Sequence, residues 1–73
     1  MDFSDALIHL KAGIRIARKY WDGAKELYVM EREDGLGNTI CFTSYRGSTG
    51  VWIPANIDLL ANDWFVIKVT ESA

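Results

Sequence analysis

The sequence predicts a single α+β domain spanning residues 1–73, in which an N-terminal helix packs on a small antiparallel β-sheet of four to five strands. Apolar residues first recur with a helical period and then, from residue 14, with a period of two, while turn dipeptides separate the β-rich segments. A chain of 73 residues allows only one domain, and a domain of this size buries only about 60% of the surface that its unfolded form exposes. Oligomerisation is therefore an expected source of further burial.

The first element is a helix over residues 2–12. Its apolar positions share one face of a 3.6-residue period: Phe3, Ala6, Leu7 and Leu10. Asp2 or Ser4 is the expected N-cap, because a short side-chain oxygen accepts from the free N–H groups of the first turn. Gly13 supplies the left-handed residue that commonly ends a helix.

Short β-rich segments then follow one another in hairpin order. Strands are predicted at residues 14–18, 27–30, 39–45 and 51–53, with turns at residues 20–23, 31–38 and 46–50. Pro54 ends the fourth strand because it lacks the N–H that a sheet ladder requires. Asn56 is expected to cap a short helical turn over residues 57–61.

The last predicted strand covers residues 63–69. Alternation places its side chains on two faces, with Trp64, Val66 and Lys68 on one and Phe65 and Ile67 on the other. Residues 70–73 are expected to fray.

Composition excludes several classes of protein. No apolar run approaches the roughly 20 residues that span a bilayer, and the N-terminus lacks the features of a secretion signal, so we expect a cytoplasmic protein without a membrane partner. A single Cys41 allows no internal disulfide, and one Cys with one His does not make a zinc site. We expect no metal and no cofactor.

Positive charge is concentrated in one segment. Residues 11–25 carry a local excess of +4 within a chain of net charge −2. An acidic protein repels a long polyanion, whereas one basic segment can still hold one or two phosphates. The alternative is that these side chains only solubilise a helix end and a strand.

Catalytic constellations are missing from the sequence. A nucleophile triad needs a histidine that takes a proton from Ser or Cys, but His9 lies in the predicted helix and Cys41 in a predicted strand. The acidic residues 31–34 are expected to lie in a solvated loop. We therefore predict no catalytic residue and a protein that is not an enzyme.

Aromatic residues favour a binding role instead. The chain has three Trp, three Tyr and three Phe, and aromatic faces stack nucleobases with about 1–3 kcal/mol per base. Trp21 lies at a strand end beside Arg18 and Lys19, where we expect exposure or an interface. Trp64 is expected to fill the core, and Trp52 suits either the core or a site.

Two patterns resemble a known family of phage and prophage proteins, the Thoeris anti-defence 2 family. The N-terminal pattern F-x-x-A-L, L-K-x-G, A-R and W-x-G is found at residues 3–7, 10–13, 17–18 and 21–23. The C-terminal pattern W-x-P and D-L-L-A-x-D-W is found at residues 52–54 and 58–64. Both occur in the family's order, and the resemblance runs from Phe3 to Trp64.

The resemblance implies a small α+β subunit that assembles as a homotetramer in the host bacterial cytoplasm. Such proteins bind cyclic nucleotide immune signals in pockets between protomers and do not degrade them. The chief ligand implied is the glycocyclic ADP-ribose of Thoeris, with the cyclic oligonucleotides of CBASS as further ligands. No DNA or RNA partner is expected.

The resemblance also implies which residues bind the signal. The matching positions that suit a nucleotide are Trp21 for base stacking, Arg18 for a phosphate or the pocket wall, Trp52 and Pro54 for an apolar wall, and Asp58 as an acceptor for a ribose hydroxyl. Ala55 departs from the pattern, because many relatives have Ser after the proline. The loss of that hydroxyl implies a different ligand preference.

The residues leave two other functions open. One is a small β-rich module that binds nucleic acid, whose affinity would fall steeply with added salt as counterions are released. The other is an inhibitor that binds a host defence enzyme directly.

Overall fold

Two helices, of which the second is a single short turn, and five short strands make up the structure, a computed structural model that describes residues 1–67. The elements follow in the order α1 (Phe3–Lys11), β1 (Ile16–Arg18), a 3₁₀ turn (Lys19–Trp21), β2 (Lys25–Glu31), β3 (Asn38–Ser44), β4 (Thr49–Val51), α2 (Asn56–Leu59) and β5 (Trp64–Val66). The α+β prediction, with a helical turn before the last strand, is confirmed.

The five strands form one antiparallel sheet in the order β4-β3-β2-β1-β5. The strands β2, β3 and β4 follow one another as hairpins, and β5 returns to pair with β1. Residues 52–63 therefore carry the chain from one edge of the sheet to the other.

Helix α1 begins and ends as its sequence predicts. The Oδ1 atom of Asp2 accepts from the N–H of Asp5 at 2.9 Å, which confirms Asp2 as the N-cap. Gly13 has φ +87°, and its N–H donates to the carbonyl of Leu10 while that of Ile14 donates to the carbonyl of His9. These two bonds form a Schellman motif, which requires the left-handed residue that glycine supplies.

The core lies between α1 and one face of the sheet. Its buried residues are Ala6 and Leu10 of the helix, Ile16, Leu27 and Trp64 of the strands, and Trp52 after β4. Ile16 lies opposite Leu27, and Leu27 lies opposite Phe42. Directly opposed residues share a face of the sheet, so this row lies beneath the helix.

Several predicted boundaries were wrong. Strand β1 begins at Ile16 rather than Ile14, because the N–H of Ile14 completes the end of α1. Strand β4 covers residues 49–51 rather than 51–53, because a tight turn closed by the N–H of Ser44 and the carbonyl of Ser48 lets pairing resume at Thr49. It ends before Pro54, which therefore does not terminate it.

Helix α2 also begins earlier than predicted. Asn56 is its first helical residue, and Ala55 is the N-cap, with extended φ and ψ of −85° and 153°. The prediction that Asn56 is the cap was therefore wrong. The predicted faces of the last strand are confirmed for Trp64 and Val66, which lie opposite Arg18 and Ile16.

Of residues 63–67, where the last strand was predicted to begin and continue, only Trp64–Val66 form a strand. Two predictions fall outside the described residues: the continuation of the last strand through residues 68–69 and the fraying of residues 70–73. Within residues 1–67, no helix combines the length and the apolar character needed to cross a bilayer.

Candidate functional site

Trp21 lies at the end of the 3₁₀ turn and is half-buried against the core. Its ring meets Trp64 edge-on, with centroids 5.2 Å apart and planes at 82°, and it meets Trp52 at 6.4 Å and 71°. T-shaped pairs of this kind are favoured by the quadrupole of the aromatic ring. The structure thus fixes the orientation of Trp21 through two buried neighbours and leaves part of its surface open to solvent.

Lys25 covers one face of the Trp21 ring. Its Nζ atom lies 4.6 Å from the ring centroid, a distance at which the ring attracts a cation. The backbone reverses direction just after Trp21, where Asp22 and Gly23 both have positive φ, of 49° and 80°. The N–H of Ala24 donates to the carbonyl of Trp21 and closes this turn. The turn therefore places the first residue of β2 beside the ring.

The two buried tryptophans differ in how their indole N–H groups are satisfied. The Nε1 atom of Trp64 donates to the carbonyl of Asp58 at 3.0 Å. The Nε1 atom of Trp52 is buried and has no acceptor within hydrogen-bonding distance among residues 1–67. Trp64 fills the core as predicted, and Trp52, for which two roles were open, is 7% exposed and belongs to the same core cluster.

Arg18 is buried and joins two carboxylates. Its Nη1 atom lies 2.7 Å from Oδ1 of Asp58, and its Nε atom lies 2.8 Å from Oδ1 of Asp63. The hydrogen bond with Asp63 raises the pKa of Arg18, and the same bond lowers the pKa of Asp63 below its ordinary value. This cluster ties β1 to the segment that precedes β5, across 40 and 45 residues of sequence.

Both carboxylate oxygens of Asp58 are engaged within the chain. One accepts from Arg18, and Oδ2 accepts from the N–H of Ala55 at 3.4 Å. Ala55 has no side-chain oxygen to return a bond, so only half of a capping box is formed. The structure therefore places Asp58 in the support of α2.

The five predicted site residues form two groups and one outlier. Trp21 and Trp52 are in ring contact, and Arg18 and Asp58 form an ion pair. Trp64 contacts both groups, through the ring of Trp21 and the carbonyl of Asp58. Pro54 is exposed, two residues beyond Trp52.

Three surface clefts lie elsewhere, and none of these three contains a predicted site residue. The largest, of about 650 Å³, lies along the β2–β3 hairpin from Met30 to Asp34. A second, of about 460 Å³, lies between α1 and that hairpin and includes Leu7 and Lys11. The third, of about 240 Å³, includes Lys25 and so borders Trp21.

The arrangement suits non-covalent binding of a flat, anionic ligand. It offers an aromatic ring with a cation over one of its faces. The described part of the chain holds no cluster of three or more His, Cys, Asp or Glu that could bind a metal ion. Sequence reasoning missed Lys25 and the joining role of Trp64. The turn pair Asp22-Gly23 directly before β2 was the available signal for Lys25.

Comparison with known proteins gives two matches. Residues 1–67 match the family described as the Thoeris anti-defense 2-like domain. A protein of Bacillus phage SP01 named Thoeris anti-defense 2 is 26% identical over an alignment of 85 positions, gaps included, which covers 93% of this chain and 96% of the relative. The match with the family includes all five predicted site residues.

Proposed function

The chain belongs to the Thoeris anti-defense 2-like family, and from this premise we propose that it sequesters cyclic nucleotide immune signals without degrading them. Family membership supports a phage anti-defence role. The proposed chief ligand is the glycocyclic ADP-ribose of Thoeris, and the cyclic oligonucleotides of CBASS are further candidates. The proposed site of action is the host bacterial cytoplasm, where such signals are made and read.

One observation of the structure supports this proposal: a partly buried Trp21 packs edge-on against two buried rings and has a lysine ammonium 4.6 Å from its own ring centroid. A nucleotide joins a flat base to an anionic phosphate, so a fixed ring beside a cation matches both parts. The ring needs little further ordering on binding, which favours affinity.

Sequestration requires tight binding but no reaction. A dissociation constant of tens of nanomolar corresponds to about −10 kcal/mol. Base stacking supplies about 1–3 kcal/mol per base, and charge-assisted hydrogen bonds to phosphate add to it. In this proposal the exposed Pro54 forms an apolar wall, while the buried Trp52, Arg18 and Asp58 support the site from behind.

The proposal places the pocket between copies of the chain in a homotetramer. A ligand of this size needs walls over most of its surface, and one subunit offers Trp21 on an open surface. On the sheet face opposite α1, Tyr28, Cys41 and Val51 form one row, in which Cys41 is buried, Tyr28 is partly exposed and Val51 is 61% exposed. Apolar residues left open on a sheet face favour association.

Calorimetric titration with glycocyclic ADP-ribose and a panel of cyclic oligonucleotides tests the proposal. We expect tight binding to the wild-type protein, loss of most of the affinity in Trp21→Ala, and partial retention in Trp21→Phe, which keeps a stacking ring. Unchanged affinity in Trp21→Ala would contradict the assignment of the site. Light scattering on the same samples measures the mass of the assembly, and a strict monomer contradicts the shared pocket.

The fate of the ligand separates sequestration from catalysis. Heat denaturation of the complex should release intact signal, whereas a hydrolase would release only products. Affinity that falls steeply with salt would instead indicate a nucleic-acid-binding module, because several counterions would be released. Retention of a host enzyme without any nucleotide would indicate a protein inhibitor.

A further inference from the structure

We propose that Lys25, rather than Arg18, is the cation that contacts the phosphate of the bound signal. In the free protein it covers the Trp21 ring, and the incoming base displaces it. The proposal deepens the function proposed above and rests on it. Three features support it. Arg18 is already paired with two carboxylates, Lys25 lies over the Trp21 ring without an ion pair, and a stacked base replaces the lysine ammonium on that ring favourably.

Arg18 is already occupied. Two carboxylates contact its guanidinium at 2.7 and 2.8 Å, and the residue is 7% exposed. A phosphate that replaced Asp58 would leave a buried negative charge without its cation, which is strongly destabilising. A phosphate that replaced Asp63 would break two hydrogen bonds to a carboxylate that is partly exposed. Arg18 therefore supports the site from within the fold.

Lys25 is placed differently. Among residues 1–67, no carboxylate forms a salt bridge with its ammonium group, and the residue is only partly buried at the start of β2. Its Nζ atom lies over the Trp21 ring, and the residue also lines the adjacent cleft of about 240 Å³. It is thus a cation that can approach a phosphate without breaking an ion pair.

The exchange of contacts favours the ligand. A stacked base is a stronger partner for an aromatic ring than a single cation that is still partly hydrated. The four-carbon stem of lysine lets the ammonium leave the ring while its backbone stays in the sheet. It can then form a charge-assisted hydrogen bond with the phosphate beside the stacked base.

Lys19 is the matched control. It is a lysine of the same basic segment, lies in the 3₁₀ turn beside Trp21 and is exposed, and it makes no cation–π contact among the described residues. A general effect of positive charge on an anionic ligand would appear equally in Lys19→Gln and Lys25→Gln. A specific contact would appear only in the second variant.

The experiment titrates wild type, Lys25→Gln, Lys25→Arg and Lys19→Gln with glycocyclic ADP-ribose and, separately, with adenosine, which has no phosphate. Calorimetry measures the first ligand and tryptophan fluorescence the second. We expect Lys25→Gln to weaken binding of glycocyclic ADP-ribose by about 10- to 100-fold, the range for a hydrogen bond to a charged group. Lys25→Arg should recover part of this loss, and the affinity of Lys19→Gln should stay within about threefold of wild type. Adenosine should bind Lys25→Gln no more weakly than it binds wild type.

Each other result overturns the inference. Equal affinity of wild type and Lys25→Gln for glycocyclic ADP-ribose would show that Lys25 is not the phosphate contact, and the proposed function would stand. Parallel loss of adenosine binding would show that Lys25 only shapes the ring site. If wild type binds neither probe, both the inference and the proposed function fail.

Discussion

The two ends of the sheet are stabilised in different ways. Around β1 and β5, Arg18 forms a buried ion pair with Asp58 and a partly buried one with Asp63, which lie 40 and 45 positions away in sequence. Three tryptophan rings are also in mutual contact there. At the tip of the β2–β3 hairpin, Arg32 pairs with Asp34 only two residues away, and about half of each side chain is exposed. One end is held by long-range contacts and the other by local ones.

The difference indicates where the domain can tolerate change. A chain this small has few buried groups. Its candidate site lies at the end of the sheet that contains the buried arginine and the buried tryptophans. Because Arg18 and Trp64 support Trp21 from behind, substitutions there change both stability and the geometry of the site. The hairpin tip is expected to tolerate substitution with little effect on either.

The largest contrast is expected between two arginines. Arg18→Ala leaves Asp58 buried without its cation, and breaking a buried pair in this way costs about 3–5 kcal/mol, a large part of the 5–15 kcal/mol that stabilises a typical domain. Arg32→Ala removes an exposed pair and should cost less than about 1 kcal/mol. Urea unfolding at pH 7 measures both, and similar losses in the two variants would contradict the contrast.

A second contrast in stability is expected between substitutions of the two buried tryptophans, Trp64 and Trp52. Trp64→Phe removes the indole N–H that satisfies the carbonyl of Asp58, whereas Trp52→Phe removes an N–H without an acceptor among the described residues. That carbonyl still accepts from the N–H of Ala61 at 3.3 Å, so the variant loses one hydrogen bond, whose net contribution is about 0.5–1.5 kcal/mol, and Trp64→Phe should be the more destabilising by about that amount. Both substitutions remove similar aromatic volume, which makes the comparison of unfolding midpoints direct. Equal losses would mean that the hydrogen bond contributes nothing.

Local patterns were sufficient to predict most of the fold. Signals within a few residues predict the helix, its cap at Asp2 and its end at Gly13. They also predict the order of the strands along the chain and the burial of Trp64. The shifted start of β4 could not be predicted in this way, because it depends on how tightly the preceding turn closes. The cap at Ala55 was missed because alanine carries no capping signal.

The candidate site was harder to predict because its contacts are distant in sequence. The residue types at Arg18 and Asp58 suit a nucleotide, yet the fold pairs them with each other across 40 residues. No periodicity in a single sequence reveals such a pairing. Trp21 could be singled out from its position at a strand end, but its two supporting rings become visible only in the folded chain.

Acid should weaken the same end of the molecule. Hydrogen bonds from Arg18, and a further one from the N–H of Tyr20 at 2.9 Å, hold the pKa of Asp63 below its ordinary value of 3.8. A carboxylate with a lowered pKa stabilises the fold at pH values above about 4, and this stabilisation is lost as the pH falls through the pKa of the folded state. Urea midpoints measured between pH 7 and pH 2.5 should therefore fall more steeply for wild type than for Asp63→Asn. Parallel curves would show that this carboxylate does not contribute.

The smallest effect is expected from completing the cap of α2. In Ala55→Ser the new hydroxyl can accept from the N–H of Asp58, whose carboxylate already accepts from the N–H of residue 55. The N–H of Asp58 already donates to the carbonyl of Ala55 at 3.0 Å, so the serine hydroxyl adds a second acceptor. We therefore expect a gain of about 0.5 kcal/mol, the lower end for caps, because α2 is only four residues long.

The family resemblance implies a serine at this position. The same variant tests whether that serine caps α2 or contacts the ligand. If it serves as a cap, Ala55→Ser raises the urea midpoint and leaves the affinity for glycocyclic ADP-ribose unchanged. If its hydroxyl contacts the ligand, affinity rises while the midpoint stays the same. Ala55→Gly is the control, because glycine suits an N-cap moderately but offers no side-chain oxygen to a helix or a ligand. A capping role would mean that Ala55 weakens the support behind the site, and that the choice among cyclic nucleotides is made elsewhere, by the groups around Trp21 and Lys25.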